Sequence, residues 1–138
     1  MSYLALDIET ANADYSSICQ LGFAEFQDGE ILNTWKSLIN PEDYFDVFNI
    51  SIHGISKAEV ENAPTFSEIS NEVFSRLEKQ VTIHHMPFDR IAFKRACSKY
   101  NLLAPKSDWA DSSRIVRRTC EEFSHGGFAL QNVANHLK

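Results

Sequence analysis

Apolar and polar positions at the start of the chain follow the pattern of β-strands. Residues 3–8, roughly 17–27 and roughly 30–39 are predicted strands, because they combine apolar runs with alternation and β-branched or aromatic side chains. Between the last two stands Asp28-Gly29, a dipeptide typical of a tight hairpin turn. The pattern therefore predicts one strand followed by a β-hairpin.

Helical spacing begins after Pro64. Thr65 and Glu68 form a T-x-x-E capping box, and they precede an apolar face with near-helical spacing, made of Phe66, Ile69, Val73 and Leu77. Residues 81–83 predict a short buried strand, and Pro87 can open the next helix. Its expected inward residues are Phe88, Ile91 and Ala92.

Two further helices are predicted near the end of the chain. Asp111, Ser112 or Ser113 can cap the first, and the second is marked by Leu130, Val133, Ala134 and Leu137. Three strands followed by alternating helices and strands predict an α/β fold with a mixed sheet flanked by helices. We expect residues 1–138 to form a single domain.

Composition argues against a disordered chain and a membrane-spanning helix. Hydrophobic residues make up 43% of the 138 positions, which is enough for a core, and no apolar run approaches the length of a membrane span. The first residues lack a signal-peptide pattern. Cys19, Cys97 and Cys120 are odd in number and widely separated, which predicts reduced thiols in the cytoplasm rather than disulfides or a zinc site.

Charge is distributed unevenly along the chain. The net charge of -6 argues against nucleic-acid binding, yet residues 90–118 hold eight basic residues and only two acids, Asp108 and Asp111. This segment either favours phosphate groups or forms two solvated helix faces.

Two acids at the end of the first strand are the leading candidates for chemistry. Side chains alternate across a strand, so Asp7 and Glu9 share one face while Ile8 points to the other. Carboxylates this close repel each other unless a cation lies between them, and oxygen ligands suit Mg²⁺ or Mn²⁺. A solvated strand end and a glycosidase-type carboxylate pair are the alternatives.

The stretch VTIHHMPFDRIAF, residues 81–93, is the second candidate. Asp89 falls in the first turn of the predicted helix, where it either stabilises the helix or faces a site at the carboxyl ends of the strands. His84 and His85 are consecutive, so their side chains diverge and are poor joint metal ligands. We expect a structural or substrate-orienting role for His84.

Taken together, these stretches resemble the DEDD superfamily of 3'–5' exonucleases, in the DEDDh-type proofreading branch that includes the epsilon subunit of bacterial DNA polymerase III and ribonuclease T. The matching segments, in chain order, are LALDIETAN, ICQLGFAEF, SIHGIS, HHMPFD with His85 in place of the usual Asn, DSSRIVRR and FALQNVANHL. The resemblance implies a ribonuclease H-like fold. It also implies that Asp111 is a structural cap outside the metal site.

The resemblance further implies hydrolysis of terminal phosphodiester bonds at single-stranded or frayed 3' ends of DNA or RNA. Two Mg²⁺ or Mn²⁺ ions would be held by Asp7, Glu9 and Asp89. The implied contacts to the terminal nucleotide come from Ile8, Thr10, His53 and Phe88. For His53 a buried, hydrogen-bonded role is the alternative, and for Phe88 simple packing is favoured. A DNA polymerase partner and the oligomeric state stay open.

One motif of the superfamily is missing. The pattern H-x-x-x-x-D, which carries a general-base His and a last metal-ligand Asp, does not occur again after the second motif, HHMPFD, because neither His125 nor His136 is followed by an acid at that spacing. We expect a C-terminally truncated exonuclease domain without its last helix, which is inactive by itself, binds Mg²⁺ weakly at best and tends to self-associate. The alternatives are a non-catalytic module that binds nucleic acid or a polymerase, and a phosphoesterase acting on small nucleotides.

Overall fold

The predicted strands assemble around β1, which lies at the centre of a five-stranded sheet. A computed structural model describes residues 1–138, and its strands are β1 Tyr3–Thr10, β2 Ile18–Gln27, β3 Glu30–Leu38, β4 Val81–His84 and β5 Asp108–Asp111. The order across the sheet is β3-β2-β1-β4-β5. β1, β2 and β3 pair antiparallel, whereas β4 and β5 run parallel to β1. The predicted α/β fold with a mixed sheet is confirmed.

The helices follow the strands in the order that the pattern predicts, with two additions. They are α1 Val47–His53, α2 Lys57–Val60, α3 Phe66–Leu77, α4 Phe88–Lys99, α5 Ser112–Thr119 and α6 Leu130–His136, with a 3₁₀ turn at Glu121–Phe123. Thr65 caps α3 through the predicted box with Glu68. Asp111 caps α5 by accepting a hydrogen bond from the Ser113 N–H. None of the helices is long and apolar enough to cross a membrane.

One face of the sheet forms the main core. Leu4, Leu6 and Ile8 of β1 are buried together with residues of α3 and α4. The rings of Phe66 and Phe93 meet edge to face with their centroids 5.9 Å apart. This packing fixes α4 against β1 and therefore fixes the position of its first turn.

Four local expectations need correction. Ile91 of α4, expected to face inward, is exposed. β1 continues to Thr10 and β4 to His84, beyond the predicted ends. The pattern missed α1 and α2 because α1 buries no residue and α2 only Val60. It missed β5 because a four-residue edge strand has no room for a recognisable alternation. The hairpin at Asp28-Gly29 is confirmed, with φ values of 52° and 83°, as a two-residue turn of this kind requires.

Candidate active site

Asp7 and Glu9 lie on the face of β1 opposite the main core. They alternate with the buried Leu6 and Ile8, and Asp7 is paired with Gly22 of β2. The strand register shifts between Glu9 and Thr10, and such irregularities change the direction of side chains next to sites. The predicted sharing of one face by the two acids is confirmed.

Asp89 joins them from the first turn of α4. Its side chain is buried, with 7% of the residue exposed, and Oδ1 accepts a hydrogen bond from the backbone N–H of Ile8 at 2.9 Å. Ile8 is the residue between the two acids of β1. The structure therefore brings all three predicted carboxylates together at one end of the sheet.

The electrostatics of this cluster disfavour three separate negative charges. Burial raises the pKa of Asp89 to about 7; the Ile8 hydrogen bond opposes this shift, and the charges of Asp7 and Glu9 add to it. Burial, together with Asp7, raises the pKa of Glu9, while His53 opposes the rise. Loss of hydration raises the pKa of Asp7 as well, although the residue is exposed at the strand end. A proton or a cation would relieve the repulsion.

The donor set fits a hard divalent cation. All three side chains offer carboxylate oxygens, the ligands that Mg²⁺ and Mn²⁺ prefer, and Asp7 is exposed to solvent at the mouth of the cluster. No group of three His, Cys, Asp or Glu side chains is arranged to hold a metal ion as it stands. The cluster is thus an open set of oxygen donors rather than a closed cage.

A groove connects Asp7 and Asp89 with the open face of the sheet. It has a volume of about 920 Å³, and its lining includes Asp7, Asp89, Gly22, Ala24, Ile83 and His85. Because Gly22 has no side chain and that of Ala24 is small, these residues of β2 leave space beside Asp7. This arrangement leaves room for a substrate group to approach the acids from the solvent side.

His53 and Thr10 are engaged with the protein itself. The Nε2–H of His53 donates to the Thr10 carbonyl at 2.9 Å, because Nδ1 already accepts from the Ile55 N–H at 3.0 Å. Both ring nitrogens of His53 therefore form hydrogen bonds within the protein, which agrees with the hydrogen-bonded role given as the alternative for this residue. Thr10 is buried at the end of β1.

The other predicted substrate contacts also lie beside the acids. The N–H of Ile8 is taken by Asp89, so this atom holds the site together. Phe88 packs edge to face on Tyr15, with ring centroids 4.9 Å apart, as the packing interpretation requires. Contacts of these residues with a nucleotide stay predictions.

His84 and His85 diverge as expected. The buried His84 donates from Nδ1 to the Met86 carbonyl at 2.6 Å. His85 points to the open face, where Nε2–H donates to the Phe128 carbonyl at 2.6 Å and Nδ1 lies 2.9 Å from the Ser112 hydroxyl. His85 thus ties the segment before α6 to the wall of the groove.

Asn49 is a site residue that sequence reasoning missed. From α1 its Nδ2 donates to the Thr10 carbonyl at 3.0 Å and lies 3.3 Å from the Asn12 carbonyl. It therefore braces the end of β1 just after Glu9. The signal was hidden because α1 itself was not recognised. The capping box at Ser56 and Glu59 was the one cue that a helical segment lies nearby.

A comparison with known families decides the relationship. The family model RNase_T, described as Exonuclease, matches residues 4–138. The chain belongs to the exonuclease family. This places it in the DEDD-type 3'–5' exonuclease superfamily that the motifs predicted.

Individual relatives agree with this membership. The 3'–5' exonuclease DinG of Staphylococcus haemolyticus is 30% identical over 104 residues, and that of Staphylococcus epidermidis is 24% identical over 104 residues. Each alignment covers 73% of this chain and 12% of the relative. The exonuclease chain thus spans about an eighth of the length of these curated relatives.

Solved exonuclease structures share the fold. Exonuclease X in complex with 5' overhanging duplex DNA superposes with a TM-score of 0.76 at 17% identity, covering 98% of this chain and 72% of that one. Exonuclease I in complex with an inhibitor gives 0.82 at 12% identity, covering 97% and 36%. A 3'-exonuclease that recognises histone mRNA stem-loops gives 0.75 at 17%, covering 87% and 63%. The ribonuclease H-like exonuclease fold is confirmed.

Proposed function

We propose that residues 1–138 carry the catalytic carboxylates of a 3'–5' exonuclease that hydrolyses terminal phosphodiester bonds of DNA or RNA. The observation that carries this proposal is the convergence of Asp7, Glu9 and Asp89, fixed by the hydrogen bond from the Ile8 N–H to Asp89. Family membership supports the reaction class. The names of the relatives support the 3'–5' direction.

The metal proposal follows from the donor set. Asp7, Glu9 and Asp89 would hold two Mg²⁺ or Mn²⁺ ions. Bound divalent ions activate water and neutralise charge on a phosphodiester undergoing displacement. One similar structure, an Escherichia coli exonuclease I–ssDNA complex, contains zinc, which supports a cation at such a site without fixing its identity.

The substrate proposal rests on the groove beside the acids. Single-stranded or frayed 3' ends suit it, because an unpaired terminal base can lie on the apolar surface of Ala24 and Ile83. Relatives of known structure have been solved with overhanging duplex DNA, with single-stranded DNA and with a histone mRNA stem-loop. We therefore keep both DNA and RNA as substrates. A cytoplasmic location is part of the same proposal, supported by the free cysteines.

Residues 1–138 lack the motif histidine that would take a proton from the attacking water. The histidines nearest the acids, His53, His84 and His85, each hydrogen-bond to a backbone carbonyl. No H-x-x-x-x-D pattern follows Asp89 in the sequence. Loss of a general base typically costs about 10²- to 10⁴-fold in rate. We propose that residues 1–138 alone turn over slowly and that the full-length protein is the form to assay.

The test is a time course of the full-length protein with 5'-labelled DNA and RNA oligonucleotides, with and without Mn²⁺. We expect a Mn²⁺-dependent ladder that shortens one nucleotide at a time from the 3' end. Release of a labelled 5' mononucleotide would contradict the direction. Cleavage confined to mononucleotide esters would favour the small-nucleotide phosphoesterase instead.

A non-catalytic module is the second candidate, and the lack of an H-x-x-x-x-D pattern after Asp89 favours it. It predicts binding of the labelled oligonucleotide by full-length protein without any shortening in Mn²⁺. It also predicts that Glu9→Gln leaves that binding unchanged. The same time course, run beside a binding measurement, therefore separates the two candidates.

A further inference from the structure

A second groove lies between α4 and the edge strand β5, next to the core residue Phe93. It has a volume of about 510 Å³ and is bounded by α4, the residues before β4 and the segment before β5. Its lining brings together four cations and one carboxylate, namely Lys79, Arg90, Lys94, Lys106 and Asp108. Sequence analysis could not group them, because Lys79 lies outside the basic segment.

Backbone hydrogen bonds hold the cations of this basic groove in place. The N–H of Lys79 donates to the Lys106 carbonyl at 3.2 Å, and the Asp108 N–H donates to the Gln80 carbonyl at 3.2 Å. Arg90 and Lys94 lie four residues apart on α4, so they are separated by about 6 Å along its axis. The four charges therefore line one continuous depression formed by three segments.

These cations are not neutralised within the protein. None of the four takes part in an ion pair, since the two pairs in the chain are Arg76–Glu72 and His136–Glu122. The other basic residues of α4 behave differently. Hydrogen bonds from Ser16 lower the pKa of Asp14, and the charges of Lys99 and Arg95 add to that effect, so these two cations face an acid.

The aromatic wall of the groove indicates which part of a ligand is bound. Trp109 is half-buried: its ring is 5.6 Å from that of Phe93, and the Arg90 guanidinium lies 5.9 Å from its centroid. With both neighbours in place, the indole has little free face on which a base could stack. The exposed chemistry is therefore cationic, which selects phosphates rather than bases.

We propose that the basic groove binds the phosphodiester backbone of single-stranded nucleic acid, upstream of the 3' end held at the carboxylates. The proposal rests on the proposed function, and one end of the groove begins near the site, because Arg90 follows Asp89 directly in the first turn of α4. Lys79 and Lys106 precede β4 and β5 and lie farther from the carboxylates. An acidic protein with a net charge of -6 needs such a positive path to draw a polyanion towards three carboxylates. Binding there is independent of base sequence.

The test measures binding without turnover. Fluorescence anisotropy with a labelled oligothymidylate of about 12 nucleotides is recorded in EDTA across a salt series, for the full-length protein and for Lys94→Gln/Lys106→Gln. Each lost phosphate contact reduces the slope of log K against log salt by about 0.7 for a single strand. We expect the double variant to bind several-fold more weakly at low salt, with a slope smaller by about 1.4.

A matched control removes the same charge elsewhere. Lys57→Gln/Lys138→Gln changes two exposed lysines outside the groove and should leave the slope unchanged. An unchanged slope in Lys94→Gln/Lys106→Gln, an equal loss in the control, or no binding by the unmodified protein would overturn the proposal. Because the assay needs no hydrolysis, a groove that binds DNA in a protein that fails the time course would refute only the proposed function.

Discussion

The two faces of the central strands differ in what their residues do. On the core face, Leu6 and Leu21 are buried against α3 and α4. On the opposite face, their chain neighbours Asp7 and Gly22 pair with each other across β1 and β2 and line the open groove. A single strand thus contributes alternately to folding and to the candidate site.

This difference shows how a buried central strand can carry acids. The core face supplies the packing free energy, so the open face can hold side chains that repel each other. The hydrogen bond from the Ile8 N–H to Asp89 links the core to the candidate site, since the Ile8 side chain is buried in the core. Changes on the two faces should consequently have separate effects on stability and on activity.

The largest expected effect is on the open face. Asp7→Asn should lower Mn²⁺-dependent exonuclease activity of the full-length protein by at least about 10²-fold, because it removes a carboxylate from a cluster of three. Its unfolding midpoint should not decrease, since the exposed side chain packs against nothing in the core. Steady-state turnover and thermal unfolding check the two halves of this prediction. Near-normal turnover would exclude Asp7 from the site.

A matched pair of neighbours sharpens the comparison. Leu21→Ala should lower the free energy of unfolding by about 2–5 kcal/mol, because Leu21 is fully buried in the core. Gly22→Ala should change it by less than about 1 kcal/mol, since an added Cβ would lie 3.5 Å from the Lys36 Cβ and 3.6 Å from the Trp35 carbonyl oxygen, both ordinary contacts. Urea denaturation of both variants measures the difference. Equal costs would mean that the open face is packed as tightly as the core.

A further expected effect on stability concerns pH. The folded chain keeps a proton on Asp89 up to about pH 7, whereas the unfolded chain loses it near the ordinary value of 3.8. Between these values the folded state binds more protons, so the free energy of unfolding without metal should fall as pH rises. Asp89→Asn should remove this contribution and raise stability at pH 8 by on the order of 2 kcal/mol.

Denaturation curves at pH 5 and pH 8 in EDTA measure the effect. Glu30→Gln, which changes an exposed carboxylate on β3, is the control and should keep the pH dependence of the original chain. If Asp89→Asn is less stable than the original chain at pH 8, the account of Asp89 as a destabilising buried charge is wrong.

Sequence reasoning was strong where periodicity and turn chemistry act locally. The strands β1 to β4, the Asp28-Gly29 hairpin and the Thr65 cap follow from neighbouring residues alone. The common face of Asp7 and Glu9 follows from strand alternation. Their convergence with Asp89 was expected on the strength of the resemblance, because it depends on how α4 packs across β1.

What the sequence could not show depends on contacts between distant segments. Asn49 braces Thr10 from 39 residues away, and His85 reaches Phe128 from 43 residues away. The basic groove combines Lys79 with Lys106 through the backbone. None of these pairs has a spacing that a linear pattern detects, since each exists only after the sheet has formed.

The central claim is that Asp7, Glu9 and Asp89 together bind a divalent cation, and Mn²⁺-dependent thermal unfolding of the full-length protein at pH 8 tests it most directly. An ion that binds only to the folded state raises the free energy of unfolding, and this stabilisation grows with the concentration of the ion. The account predicts a rise in the unfolding midpoint at high Mn²⁺ for the original chain and for Glu30→Gln, and none for Asp7→Asn. An equal rise in Asp7→Asn, or no rise in the original chain, would contradict it.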